Sequence, residues 1–162
     1  MNIFILDHDI ELSAQYHNDS HVIKMILESV QMLSTANHLH NLEYGYKPTH
    51  VNHPCTKWVC ESYSNWDYLY SLAFHLNQEY RYRFGKLDNH KSWDMFKHTP
   101  VPRIKDIGLT PFAQAMPTAY QCDCAITAYR NYYVAEKNHL AIWTKRTCPE
   151  WYKVIHKERR VT

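Results

Sequence analysis

Residues 20–39 read SHVIKMILESVQMLSTANHL, and this stretch decides the fold that the sequence predicts. The segment Asn18-Asp19-Ser20 is suited to cap a helix over Ser20–Leu39, in which apolar residues recur every three or four positions. Six apolar residues form one side of this helix: Val22, Ile23, Ile26, Leu27, Val30 and Leu33. A helix of this kind buries its apolar side against neighbouring elements, so the stretch predicts a core helix.

The opposite side of the same helix carries chemically active side chains. His21, Lys24, Glu28 and Gln31 follow one another at offsets of 3, 4 and 3 residues. These offsets place the four on one helix face, within an arc of roughly 80°. An imidazole, an amine and a carboxylate together form a set of general acid–base groups. We therefore predict Glu28 as the general acid–base, with His21 and Lys24 as its partners; the alternative is a solvated face with a Lys24–Glu28 contact.

The rest of the chain predicts a single all-α domain over 1–162 with about four main helices and long ordered loops. The main helices are expected at Asp9–Tyr16, Ser20–Leu39, Thr56–Phe84 and Cys122–Lys145, with a short one over His90–Lys97. The loop Thr99–Pro117 is expected to be anchored by Ile104, Ile107, Leu109, Phe112 and Met116. Residues 148–162 are expected to form a basic, aromatic tail. The helical prediction rests on scarce glycine and on few alternating Val/Ile/Thr segments.

Composition limits the class of protein. The 162 residues suit one domain, and 45% hydrophobic and 14% aromatic content can supply a core. The net charge is +2 with 12 histidines, the five cysteines follow no disulfide framework, and no signal peptide or membrane-length apolar run is visible. We therefore expect a protein of a reduced, cytoplasmic compartment. With only three glycines, the usual Gly-rich phosphate loops are excluded.

Two histidine-containing segments raise the question of a metal. They are His17–His21 and His50–Cys55, and neither has a standard zinc spacing. We expect no metal and no cofactor, while a metal-dependent hydrolase remains an alternative. Cys55 beside His53 is also a weak candidate for a nucleophile.

Cations and aromatic rings are interleaved in the second half of the chain, and the first arginine is Arg81. Cations neutralise phosphates and aromatic rings stack on bases, so this pattern favours nucleic-acid or nucleotide binding. The predicted nucleic-acid or phosphate-binding residues are Gln31, Asn52, His53, Asn65, Arg83, Lys86, His90, Lys91, Arg130, Lys137, Lys145 and Arg146. The alternative is ordinary surface charge, since acidic residues are interspersed.

Several segments resemble one known family. They are Glu11-Leu12-x-x-Gln15 leading into the His21–Gln31 helix, His50-x-Asn52-His53-Pro54-Cys55, Thr110–Pro117, Ala128-Tyr129-Arg130-x-Tyr132-Tyr133 and Cys148–Lys153. With its size and helical content, the chain resembles the phage-type pyrimidine dimer DNA glycosylases of the endonuclease V type. The resemblance implies a compact helical domain that excises a damaged pyrimidine through a Schiff base at the N-terminal α-amine, assisted by a glutamate. Here these groups would be the amine of Met1 and Glu28, or less favourably Glu11.

The chain departs from that family in two ways. Residue 2 is Asn rather than a small residue, and no arginine precedes Arg81. We expect a DNA glycosylase/AP-lyase-like enzyme acting on damaged or modified pyrimidines, with the Met1 α-amine or Lys24 forming the imine. The alternatives are a protein that binds or cleaves a small soluble nucleotide, of a viral counter-defence type, and a non-catalytic interaction protein. The expected partner is DNA or a small nucleotide, without a membrane.

Overall fold

The computed structural model describes residues 1–161, which form seven α-helices and no β-strand. The helices are α1 Ile10–Tyr16, α2 Asp19–Leu39, α3 Pro54–Glu61, α4 Tyr63–Phe84, α5 Lys91–Phe96, α6 Ala125–Glu136 and α7 Glu150–Val161. Two single 3₁₀ turns, Thr118–Tyr120 and Asn138–Leu140, flank α6. The all-α prediction is confirmed, whereas the count of about four main helices is too low.

One reason for the higher count is a break at Ser62 in the predicted helix Thr56–Phe84. Ser62 is buried and extended, with φ −151° and ψ 146°. Its hydroxyl donates to the Asp106 carboxylate (2.9 Å), which also accepts from the backbone N–H and the hydroxyl of Ser64 (3.2 and 2.7 Å). A distant aspartate thus accepts from the Ser64 N–H in the first turn of α4, and no local sequence pattern predicts this tertiary contact.

The predicted helix Cys122–Lys145 is also shorter than expected. Helix α6 ends at Glu136, and the segment after it crosses the start of α2. There the backbone N–H of Asp19 donates to the Ile142 carbonyl (2.8 Å), and the Asp19 carboxylate accepts from the Thr144 backbone (2.9 Å) and hydroxyl. These contacts hold the irregular segment that follows α6 against the start of α2, in place of two more helical turns.

The extended segment 3–6 lies in the core. Ile3, Phe4, Ile5 and Leu6 are all at most 4% exposed. The segment shields part of the His21–Gln31 face of α2, so this helix is buried on more than its apolar side. Ile23 and Leu27, expected in the core, are instead 42% and 37% exposed. The predicted burial of those two residues is wrong. The segment 3–6 covers part of the polar side of α2, and the side of α2 that faces solvent includes Ile23 and Leu27 instead.

The loop over 99–117 is anchored by fewer residues than predicted. Ile104 and Met116 are buried, and Phe112 packs partly against the core. Ile107 and Leu109 are 60% and 53% exposed, because the loop is held near them by hydrogen bonds to Asp106 rather than by apolar packing. The predicted tail over 148–162 contains α7, and Thr162 lies outside the described residues. Within residues 1–161 no helix is long and apolar enough to cross a membrane.

Candidate active site

The centre of the candidate site is the carboxylate of Glu28 on α2, which is only 8% exposed. Three nitrogen groups surround it. The Met1 α-amino group lies 3.6 Å from Oε2, the Asn2 backbone N–H donates to Oε2 (3.0 Å), and Lys24 Nζ lies 3.5 Å from Oε1. A carboxylate so nearly buried needs partners of this kind, because an unpaired buried charge is costly. The structure thus brings together three of the predicted catalytic residues.

Met1 presents its amine while its side chain is hidden. The side chain is 3% exposed and packs against the core, whereas the residue as a whole is half-buried. The accessible part of Met1 is therefore its backbone, which carries the amino group. Burying a methionine side chain is favourable, so this packing keeps the amine beside Glu28.

Asn2 fixes the backbone that follows the amine. Its Nδ2 donates to the Ala115 carbonyl (2.9 Å), and its Oδ1 accepts from the Ile3 backbone N–H (2.8 Å). The Tyr129 hydroxyl lies 3.0 Å from the same Oδ1, and the Cys55 thiol donates to it at 3.6 Å. A short chain end held at this many points is positioned rather than free, which is what a site for covalent chemistry needs.

The groups beneath Asn2 stay neutral. Burial raises the pKa of the Cys55 thiol to about 11, and burial likewise raises the pKa of Tyr129 well above its usual value. Tyr129 also donates to the Ala113 carbonyl (2.7 Å), which ties the loop over 110–117 to α6. Cys55 is therefore a structural hydrogen-bond donor here rather than a thiolate nucleophile.

His53 is a half-buried neighbour of the same cluster. Its Nδ1 accepts from the Cys55 backbone N–H (3.1 Å) and so caps α3. Partial burial lowers the pKa of His53, and the positive charge of the N-terminal amine adds to this effect. The cap and the lowered pKa both favour a neutral imidazole near the amine at neutral pH.

His21 lies apart from the Glu28 carboxylate. Its ring stacks on Phe4 (centroids 4.6 Å apart, planes at 21°) and meets the edge of Tyr133 (5.2 Å). Burial, followed by the neighbouring charge of His17, lowers the pKa of His21 to about 3. At neutral pH His21 is thus an uncharged member of an aromatic cluster, and no hydrogen bond or ion pair joins it to Glu28. Helical spacing predicted a shared face correctly but not the insertion of Phe4 beside His21.

The structure does not bring Arg83 to a phosphate-binding surface. Its side chain is 0% exposed, and its guanidinium pairs with Glu79 (2.8 Å) and Asp19 (3.2 Å). It also donates to the carbonyls of His17 and Gln15 (2.7 Å each). Arg83 therefore joins α4 to the α1–α2 corner, because a buried guanidinium needs acceptors on every side.

Three other predicted phosphate ligands are also committed to internal contacts. Asn65 is fully buried and donates to the carbonyl of Trp58 (2.7 Å). Arg130 pairs with the carboxylate of Asp7, and Arg146 with that of Glu79. Asn65 has no exposed surface and so cannot bind a phosphate, whereas Arg130 and Arg146 remain partly exposed.

The remaining predicted ligands lie in several separate parts of the fold. Gln31 is half-buried on α2, and the exposed Asn52 belongs to a loop that is held against α2 through the Thr35 hydroxyl and the Thr49 carbonyl (3.2 Å). The others lie elsewhere: Lys137 is over the Tyr132 ring, Lys145 donates to the Tyr82 carbonyl, and Lys86, His90 and Lys91 belong to the region after α4.

Sequence reasoning missed Asn2, Tyr129 and the structural role of Cys55. Asn2 appeared only as a departure from the resembled family, and Tyr129 only within a quoted segment. The run Asn2-Ile3-Phe4-Ile5-Leu6 was a usable signal, since four consecutive apolar residues at a chain start predict a buried segment. Among residues 1–161, no group of three or more His, Cys, Asp or Glu side chains is arranged to hold a metal ion.

Comparison with models of protein families, with curated proteins and with solved structures found no match to this chain.

Proposed function

We propose that this protein is a DNA glycosylase/AP-lyase-like enzyme that acts on damaged or modified pyrimidines. The observation that carries the proposal is the Met1 α-amine 3.6 Å from the largely buried carboxylate of Glu28. An amine next to a carboxylate can lose a proton to it and so become a nucleophile. The resemblance noted in the sequence implies the same pair of groups.

The proposed chemistry uses these two groups in turn. The uncharged amine attacks C1′ of the damaged nucleotide, the new C–N bond forms as the glycosidic bond breaks, and the base leaves with a proton. The sugar ring opens to an imine on the Met1 nitrogen. Glu28 then removes a proton from C2′, and the C3′–O bond to phosphate breaks by elimination, after which water releases the imine. Each transfer needs the carboxylate within reach of the amine, as the structure has it.

Lys24 is the cation best placed to meet DNA beside this pair. Its side chain is 64% exposed while it still approaches Glu28. Lys137 lies over the Tyr132 ring (5.3 Å), and its positive charge and that of Lys24 both contribute to lowering the pKa of His21. Cations there would attract phosphates on either side of an extruded nucleotide.

Borohydride trapping on duplex DNA with a damaged pyrimidine or an abasic site tests the proposal. Wild-type protein should give a stable protein–DNA adduct, and Glu28→Gln should reduce strand cleavage by at least about 10²-fold, in the range of general acid–base contributions. Glu11→Gln is the matched control, because Glu11 is exposed on α1 and contacts only Gln15 (3.3 Å). The absence of both adduct and cleavage in the wild type would refute the proposal.

A small soluble nucleotide is the second candidate substrate for the same site. The observation that favours it is the commitment of Arg83, Arg130 and Arg146 to internal carboxylates, which leaves fewer cations for a long polyanion. A salt series separates the two substrates, because duplex binding weakens steeply with salt while a compact ligand pocket is less sensitive. If Glu28→Gln leaves every measured activity intact, the site is not catalytic and the chain is an interaction protein.

A further inference from the structure

A second surface with unpaired positive charge lies after α4, away from the Glu28 cluster. A cavity of about 600 Å³ is formed there by the last turn of α4, the turn over 86–89 and the start of α5. Its lining includes three cations, Arg81, Lys86 and Lys91. None of its lining residues belongs to the group around Glu28.

These three cations share one feature, which is that no carboxylate holds them. Arg81 is exposed and makes no side-chain hydrogen bond or ion pair, and the same is true of Lys86 and Lys91. The contrast with Arg83 is sharp, since residues two apart on a helix point to different sides. Arg83 points inward to Glu79, and Arg81 points to the cavity. Unpaired like charges around a concave surface repel one another and attract an anion.

The backbone that carries the cations is held in place from both ends. The Lys86 N–H donates to the Arg81 carbonyl (3.0 Å), and Gly85 between them closes α4 in the left-handed conformation (φ +59°). Further along, the His90 N–H and the Asn89 side chain are both hydrogen-bonded to the side chain of Asn77 (2.9 and 2.8 Å). A cavity whose walls are fixed before binding loses less entropy when it takes a ligand.

The two carboxylates in the lining favour a compact anion over an extended one. Asp94 is already neutralised by Lys97 (2.6 Å) and accepts from Asn89 (3.2 Å), and these contacts lower the pKa of Asp94. Asp88 is exposed and makes no ion pair. An unpaired carboxylate beside the cations would repel the neighbouring phosphates of a nucleic-acid strand, whereas a single phosphate group can reach the cations without approaching it.

Two apolar surfaces complete the cavity. Tyr80 lines it from α4, with its ring edge-on to Phe84 and His90, and Leu87 lines it while remaining 90% exposed. Covering so exposed a leucine with a flat apolar group is favourable, because apolar surface is removed from water. A tyrosine ring is a suitable surface on which a base can stack. The lining thus places three cations, which could surround one phosphate group, next to an apolar surface.

We propose that this cavity is a binding site for a nucleoside monophosphate, with Arg81, Lys86 and Lys91 around the phosphate and Tyr80 and Leu87 beside the base. The site is separate from the Glu28 cluster and does not depend on the function proposed for it.

Calorimetric titration of the full chain at constant ionic strength tests the site, with thymidine monophosphate, inorganic phosphate and thymidine as probes. The monophosphate should bind one per chain and more tightly than inorganic phosphate, and thymidine should bind most weakly. The double variant Lys86→Ala/Lys91→Ala should weaken monophosphate binding at least about tenfold, because each charged hydrogen bond is worth about that factor. Lys57→Ala/Lys105→Ala is the matched control, since both lysines are exposed and lie on α3 and in the loop over 99–117.

The outcomes separate this site from the function proposed for Glu28. Glu28→Gln should bind the monophosphate as the wild type does, because none of the residues that line the cavity belongs to the group around Glu28. Unfolding curves confirm that each variant is folded. Unsaturable binding, or equal affinity in the wild type and the double variant, would overturn the site. Equal affinity for phosphate and monophosphate would overturn the part assigned to Tyr80 and Leu87.

Discussion

The buried guanidinium of Arg83 should contribute strongly to stability, and Arg83→Met tests this. The substitution keeps a long helix-favouring side chain but removes all the donors. The Asp19 carboxylate would lose one of its partners, and the carbonyls of His17 and Gln15 would lose donors at 2.7 Å. Glu79 would keep Arg146 (2.6 Å) as its partner.

The expected loss in the free energy of unfolding is about 3–5 kcal/mol, as for other buried ion pairs broken on one side. For a chain of this size it corresponds to a Tm lower by roughly 6–20 °C. Arg81→Met is the matched control on the same helix, and it should stay within about 0.5 kcal/mol because Arg81 is exposed and unpaired. Urea unfolding followed by circular dichroism measures both. A loss below about 1 kcal/mol in Arg83→Met would refute the reasoning, since the guanidinium would then not be holding the α1–α2 corner.

Three further outcomes are expected. Burial lowers the pKa of His21 from its ordinary value of 6.5 to about 3 in the folded state, so between these pH values only the unfolded state gains that proton. His21 alone should therefore remove about 1.4 kcal/mol of stability per pH unit as the pH falls from 6.5 to about 4. His21→Phe should flatten this slope in urea unfolding at a series of pH values, and an unchanged slope would count against the buried neutral imidazole. Gly45→Ala should lower the free energy of unfolding by more than about 1 kcal/mol, and by clearly more than Gly85→Ala does. Both glycines have positive φ, but only at Gly45 would a Cβ collide with the Ser34 side chain. Equal shifts of Tm in the two variants would contradict this. Iodoacetamide should modify Cys124 before Cys55. Hydrogen bonds from Thr127 lower the pKa of the exposed Cys124 thiol, whereas burial raises the pKa of the Cys55 thiol to about 11. Peptide mapping that finds Cys55 modified first would contradict this order.

The sequence pattern predicted those helix limits that depend on residues close to them in the chain. The start of α1 at Asp9, the extent of α2 and the end of α4 at Gly85 follow from capping residues and apolar spacing, and the structure confirms them. The break at Ser62 was not predictable in this way, because it depends on a carboxylate 44 positions further along the chain. The early end of α6 has the same kind of cause, since Asp19 holds the segment that follows it.

In the candidate site too, contacts between residues close in sequence were predictable and contacts between distant residues were not. Helical spacing placed Lys24 and Glu28 together, and the structure has them 3.5 Å apart. The spacing could not show that Phe4 would occupy the space beside His21, or that Asn2 would be held by Tyr129 from 127 positions away. Arg83 looked like an exposed ligand in sequence because charge alone does not reveal burial, and only the positions of Glu79 and Asp19 in space explain it.

The most direct measurement of the central claim is the location of the borohydride-trapped adduct. After trapping on abasic duplex DNA and digestion of the nucleic acid, cleavage after Glu11 separates the peptide with the Met1 amine from the peptide with Lys24. Mass spectrometry should then find the sugar remnant on the α-amine of Met1 in the peptide 1–11. An adduct on Lys24, or no adduct on any peptide, would contradict the role proposed for the amine beside Glu28.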